Sequence, residues 1–204
     1  MKPDISLGER VDAVVIGASA GGVEALAALL PALPPDSRAA IFIVLHLPRD
    51  KPSLLVEIFA PKCALPVREA EDKEPVAPGT VYFAPSNYHL LLDRGPQTAL
   101  SADDPVHHCR PSIDVLFESA VDIYGNRLAG IILTGANEDG SAGLAAIHDR
   151  GGITVVQQPE TAHSPQMALS ALKLRPADLV LPLDRIVDLL ATLSGGVKSG
   201  GVKC

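Results

Sequence analysis

A chain of 204 residues, 47% of them apolar, can build one sizeable core, and with 3% aromatics and no Trp that core must be aliphatic. The formal net charge of −7, with Lys and Arg scattered and not gathered in a stripe, argues against a nucleic-acid partner. Apolar runs fall short of the ~20 residues that cross a bilayer. The polar stretch 1–10 lacks the apolar heart of a signal peptide, so a cytoplasmic protein without membrane insertion is expected.

Val11 to Ile16 reads as a first strand stopped by Gly17, and Gly22 to Leu30 as an amphipathic helix ended by Pro31. Ala40 to Leu45 is a second strand, a continuous apolar run of the kind buried between two helical layers. Pro52 and Ser53 open a helix to about Ala60. Thr80 to Ala84 and His89 to Asp93 are expected to pair as an antiparallel hairpin around Pro85-Ser86-Asn87, with 100–110 an irregular polar loop. Pro111 and Ser112 start a helix that carries Ile113, Leu116, Phe117 and Ala120 on one face. Ala129 to Leu133 is a third apolar strand, followed by the loop Thr134 to Gly140 and a helix over 142–150. A strand at 153–157, a helix at 165–174, a strand at 179–181 and a helix at 185–193 complete the alternation. The Ser/Gly-rich stretch 194–204 is expected to be a flexible tail.

Alternating strands and helices predict an open, doubly wound α/β fold: three layers, a mostly parallel sheet with helices on both faces, and one antiparallel hairpin. In such sheets sites form outside the carboxyl ends of strands, at a topological switch point. Three strand ends stand out. The first carries Gly17-Ala18-Ser19-Ala20-Gly21-Gly22, which meets the Gly-x-Ser-x-Gly spacing that lifts a serine above a sheet, with the Ala20 and Gly21 amides near a helix N-terminus. The second ends in His46, and a serine hydroxyl needs an adjacent base such as imidazole. The third leads to Asp139, whose commonplace role is a helix cap and whose place in this trio is to orient the imidazole. Glu138 competes for that role.

The order Ser19, His46, Asp139 departs from the α/β-hydrolase order, which would need His148 or His163 as base, and neither of those sits at a strand end. Without a following Gly-Lys-Ser/Thr the glycine loop is no Walker A loop, and its glycines miss the dinucleotide spacing. The cysteines Cys63, Cys109 and Cys204 lack metal-like or Cys-x-x-Cys spacing and are expected to be reduced thiols; acyl-enzyme chemistry on Ser19 and His46 needs no metal or cofactor, and none is expected.

These residues resemble the catalytic domain of the chemotaxis protein-glutamate methylesterase family, CheB. The stretches that match are 16–22, His46-Leu47-Pro48, Ala84-Pro85 with His89, Arg110-Pro111-Ser112-Ile113-Asp114-Val115-Leu116-Phe117, and Leu133-Thr134-Gly135 with Asp139-Gly140, in family order from about 11 to 190. The resemblance implies a serine hydrolase that removes methyl groups from glutamate γ-methyl esters of chemoreceptors, with glutamine deamidation in some members. It implies Ser19 as nucleophile, His46 as base and Asp139 as orienter, and backbone oxyanion donors at Ala20 and Ala136. It also implies a methylated chemoreceptor cytoplasmic domain, or a similar methylated protein, as partner. A monomer is expected.

The chain departs from the family where Ala136, Asn137 and Glu138 replace the middle of Thr-Gly-Met-Gly-x-Asp-Gly, at Ser86, and in Ser164-Pro165-Gln166-Met167. Gly21, Asn137 and Glu138 are therefore the candidate substrate-groove residues. The expected layout is a leader at 1–10, one catalytic domain at 11–193 without the usual receiver domain, and the tail. Two other readings stay open: a degenerate receptor-binding domain, suggested by the altered loop, and a nucleotide- or phosphate-binding module on the loop from Gly17 to Gly22.

Overall fold

The structure, a computed structural model, describes residues 11–47 and 53–194. The expected leader, Pro48, Pro52 and the tail beyond 194 lie outside the described residues. In chain order the elements are β1 (Ala13–Ala18), α1 (Gly22–Leu29), β2 (Ala40–Leu45), α2 (Leu55–Phe59), β3 (Val67–Glu69), β4 (Val81–Phe83), β5 (His89–Asp93) and β6 (Gln97–Ser101). They continue with α3 (Ile113–Tyr124), β7 (Leu128–Ile132), α4 (Ser141–Asp149), β8 (Ile153–Gln157), α5 (Gln166–Leu174), β9 (Leu179–Leu181) and α6 (Leu183–Ser194). None of the helices is long and apolar enough to cross a membrane, among the described residues.

Seven strands form one parallel sheet in the order β3-β4-β2-β1-β7-β8-β9. Its centre is built from the longest apolar runs, and every residue of β1, β2 and β7 is buried. Period-2 alternation divides each of these runs between two cores. Val14, Ile16, Ile41 and Ile43 pack with Leu26, Leu29, Phe59 and Leu190 of α1, α2 and α6. Val15, Phe42 and Val44 face the other way, onto Leu116, Phe117, Leu144 and Met167 of α3, α4 and α5. The expected three-layer arrangement follows from this double burial.

A separate two-stranded antiparallel sheet is present, but with partners other than those the sequence suggested. His89–Asp93 pairs with Gln97–Ser101 across a tight turn. Thr80–Ala84 instead supplies β4, parallel to β2 and β3 inside the main sheet. Residues 81–83 are fully buried, and a strand buried on both faces belongs to the parallel sheet and not to a surface hairpin. The start of the expected loop is therefore strand β6, and β3, half-polar and three residues long, escaped the pattern. Gly17 does not stop β1, which runs through Ala18.

Candidate active site

The strand order reverses direction around β1. From β1 the chain crosses to β2 through α1 on one face, and from β7 to β8 through α4 on the other. The switch point, where such folds bind ligands, thus lies at the carboxyl ends of β1 and β7. Parallel register sets what meets there. Ala18 is the partner of Leu45 and Gly17 of Ile132, so Ser19, His46 and the loop from Leu133 leave neighbouring strands at one level. Two backbone bonds extend the ladder past the strand ends: His46 N donates to Ala18 O at 3.1 Å, and Ser19 N to Thr134 O at 2.9 Å.

Ser19 is half-buried on the turn between β1 and α1. The left-handed residue of that turn is Gly21, with φ of 80°, and a Cβ there would sit 2.5 Å from Cβ of His163. Only glycine fits both the dihedral and the contact. The Thr134 hydroxyl donates to Ala20 O at 2.7 Å and accepts from Ser164 N at 2.9 Å, tying the serine turn to the segment before α5. Ala20 and Ala136 are exposed, and among the described residues their N–H groups make no internal hydrogen bond.

Asp139 is fully buried and surrounded by donors. Its carboxylate accepts from Ser112 Oγ at 2.8 Å, Ile113 N at 2.7 Å and Asp114 N at 3.0 Å, and it lies 2.9 Å from His46 Nε2. The expected capping role is real but belongs to a different helix. Asp139 caps α3 from across the fold, while α4 starts from Gly140 in a left-handed turn with φ of 96°. The orphan N–H groups and positive end of α3 thus hold the negative charge beside the imidazole. Burial alone would raise the Asp139 carboxyl, yet the bonds from His46, Ile113, Asp114 and Ser112 hold it below the ordinary carboxylate value. Burial likewise works against a charged His46, but the bonds to Asp139 and Cys109 and their charges outweigh it and raise its pKa from 6.5 to about 9. Glu138, the competing carboxylate, is exposed and stands 3.4 Å from His107 Nδ1, not at His46.

The other ring nitrogen faces softer company. His46 Nδ1 lies 3.4 Å from Asn137 Nδ2 and 3.7 Å from Cys109 Sγ, and Asn137 Nδ2 donates to that sulfur at 3.3 Å. With Nε2–H given to Asp139, Nδ1 is the nitrogen left to take a proton. Among the described residues the Ser19 hydroxyl makes no hydrogen bond to it; such contacts often tighten only when substrate binds. Sequence reasoning placed Cys109 among plain thiols and missed its place at His46; its position just before Arg110-Pro111-Ser112 was the available signal. That stretch folds back to the site because Arg110 bonds Asn87 Oδ1, Ala102 O and Asp103 O, while buried His89 accepts from Ser112 N at 3.1 Å.

A cleft of about 510 Å³ runs beside the site, lined by His107, Asp114, Glu138, Gln166, Leu169 and Lys173 among others. Asn137 and Glu138 line a smaller neighbouring one of about 290 Å³ with His107 and His108. Of the groove candidates, Gly21 lines neither cleft and packs against His163. His46, Cys109 and Asp139 are close enough to suggest a cation site, but His46 spends Nε2 on Asp139 and meets Cys109 through the opposite nitrogen. One ring cannot turn both nitrogens to one ion. The arrangement suits proton transfer at a carbonyl.

The CheB methylesterase family model matches residues 14–190. A protein-glutamate methylesterase/protein-glutamine glutaminase of Anaeromyxobacter dehalogenans is 44% identical over 185 residues, 91% of this chain and 54% of that protein. A Leptospira interrogans relative, provisionally named for the same two activities, is 43% identical over 182 residues, 89% of this chain and 94% of its own length. The chain thus spans nearly all of one relative and about half of the other. The crystal structure of the Thermotoga maritima CheB methylesterase catalytic domain superposes with a TM-score of 0.85 at 34% identity, covering 90% of this chain and 98% of that one.

Proposed function

The chain belongs to the CheB methylesterase family, and from that premise we propose that it hydrolyses glutamate γ-methyl esters on chemoreceptor-type proteins through Ser19, His46 and Asp139. The observation that carries this reading is the His46–Asp139 contact of 2.9 Å at the strand end next to Ser19. A base oriented by a buried carboxylate, one strand from a serine on a strand-to-helix turn, is the apparatus of acyl transfer.

In the proposed steps at these strand ends the serine attacks, the imidazole moves the proton, and the carboxylate orients the ring. Ser19 Oγ attacks the ester carbonyl while His46 Nδ1 takes its proton. The oxyanion that forms is met by the N–H groups of Ala20 and Ala136, which have no competing internal partner among the described residues. His46 then returns the proton to the departing methoxide, and methanol leaves. Water, deprotonated by His46, attacks the acyl-serine and frees the glutamate carboxylate. The same sequence with ammonia as leaving group would deamidate glutamine. Asp139 stays ionised throughout, its charge held by the α3 N-terminus and by the imidazolium. The partner we assign is the methylated cytoplasmic part of a chemoreceptor, met in the cytoplasm by a monomer; no cofactor enters any step.

The test is methanol release from a methylated chemoreceptor fragment, run beside Ser19→Ala. Release that vanishes with the serine is the expected result. Release that survives the substitution overturns the reading, and binding of the fragment with no release marks a receptor-binding domain without turnover. Thermal stabilisation by nucleotides, in place of either, would point to the phosphate-binding alternative.

A further inference from the structure

The mechanism leaves one nucleophile unused. Cys109 Sγ lies 3.7 Å from His46 Nδ1, the nitrogen that must be free for catalysis, and accepts from Asn137 Nδ2 at 3.3 Å. The sulfur, His46 and Asp139 repeat the pattern of nucleophile, base and orienter that Ser19 uses, on the same ring. The contact is built by the backbone. Val106 and Cys109 bond each other reciprocally, at 2.8 and 3.1 Å, across a two-residue turn. Its central residues, His107 and His108, carry φ of 49° and 62°, a conformation that costs histidine and is usually left to Asn-Gly. His107 is held there between Asp114 and Glu138, 3.4 Å from each. Cys109 is half-buried, and its thiol also lies 3.4 Å from His107 O.

We propose that Cys109 is a modification site for small neutral electrophiles, with His46 as its base, and that sulfur modified there shuts the hydrolytic site. With iodoacetamide the sulfur lone pair forms the C–S bond, the C–I bond breaks and iodide leaves with its electron pair, while the thiol proton passes to His46 Nδ1. With hydrogen peroxide, the member of the class that oxidises, sulfur attacks one oxygen and the O–O bond breaks. The departing hydroxide takes the thiol proton through His46 and leaves as water; sulfur is oxidised by two electrons to sulfenic acid and peroxide is reduced. Either group then sits against Nδ1, the nitrogen that the hydrolysis needs. The reactivity of Cys109 is independent of the methylesterase reading; the shut-off rests on it.

The experiment is iodoacetamide labelling of the whole protein near pH 9, where about half of the His46 rings are neutral and can take the thiol proton, followed thiol by thiol by peptide mass spectrometry, with methanol release measured on the same samples. Cys63 is the internal reference, because burial pushes its thiol pKa up. Cys109 is expected to label at least about tenfold faster than Cys63 and to slow to the rate of Cys63 in His46→Gln. Methanol release should fall in step with Cys109 labelling, and the Cys109→Ser protein should keep its own rate under the reagent. Equal labelling of Cys109 and Cys63 in the native protein overturns the site, a result that needs no variant to fold. Full labelling with undiminished hydrolysis overturns the shut-off. Fast labelling of a protein that never releases methanol leaves the thiol site standing and removes the methylesterase reading instead.

Discussion

The two ring nitrogens of His46 look onto halves of the site that were built to different standards. On the Nε2 side, Asp139 is fully buried and every nearby donor is backbone or short side chain: Ser112, Ile113 and Asp114 at the head of α3. On the Nδ1 side stand a thiol and a primary amide at longer range, on a turn with two left-handed histidines and a loop whose Ala136 and Glu138 are exposed. The orienting half is part of the core and can change only with the fold. The half that the proposed mechanism makes reactive is carried by loops, where a proton, an acyl group and a substrate side chain would come and go.

This contrast can be broken from either side. The largest effect is expected at Ser19: Ser19→Ala should lower kcat by about 10⁵-fold while leaving the denaturation midpoint nearly unmoved, since a half-exposed hydroxyl holds no part of the core. A kcat loss below tenfold would deny the serine its role. Asp139 should behave oppositely, with both readouts falling together. Asp139→Ala leaves the α3 N-terminus and His46 without their acceptor and should cost about 3 kcal/mol in urea denaturation, with kcat down by about 10⁴-fold. A stable but inactive variant would show that the carboxylate orients without supporting the helix.

A smaller effect sharpens the comparison by pH. A base raised to about 9 is protonated in the resting site, so kcat/KM should climb as pH rises toward about 9. Stability runs the other way: because the folded pKa lies above 6.5, the stabilising contribution of His46 is fully present below 6.5 and is lost as pH climbs through about 9. Cys109→Ala removes two of the causes that raise the ring and should move the rate profile to lower pH, leaving the Asp139 contribution in place. A profile unmoved by Cys109→Ala would mean that the Nδ1 side does not tune the base. The mildest test is Gly21→Ala, which forces φ of 80° on a side chain against His163 and should cost about 1–3 kcal/mol in a thermal melt.

Much of this was legible in the chain. Long aliphatic runs at 13–18, 40–45 and 128–132 can satisfy their backbone and bury both faces only in a parallel sheet between helices, so the fold class and the three strand ends follow from local pattern. Ser19 and His46 stood out because their chemistry is rare at the end of an apolar run, and Asp139 because it closes the glycine-bearing loop that follows the third one. Short, mixed segments were not legible in this way. Residues 81–83 joined the main sheet and 97–101 took the hairpin, because a three- to five-residue strand chooses its partner by the surface it meets and not by its own sequence. That Asp139 caps α3, that Cys109 and Asn137 meet Nδ1, and that Glu138 turns outward were decided by tertiary structure alone. Each depends on residues 26 to 91 positions apart in the chain arriving at one sheet edge, and no local pattern marks those particular contacts.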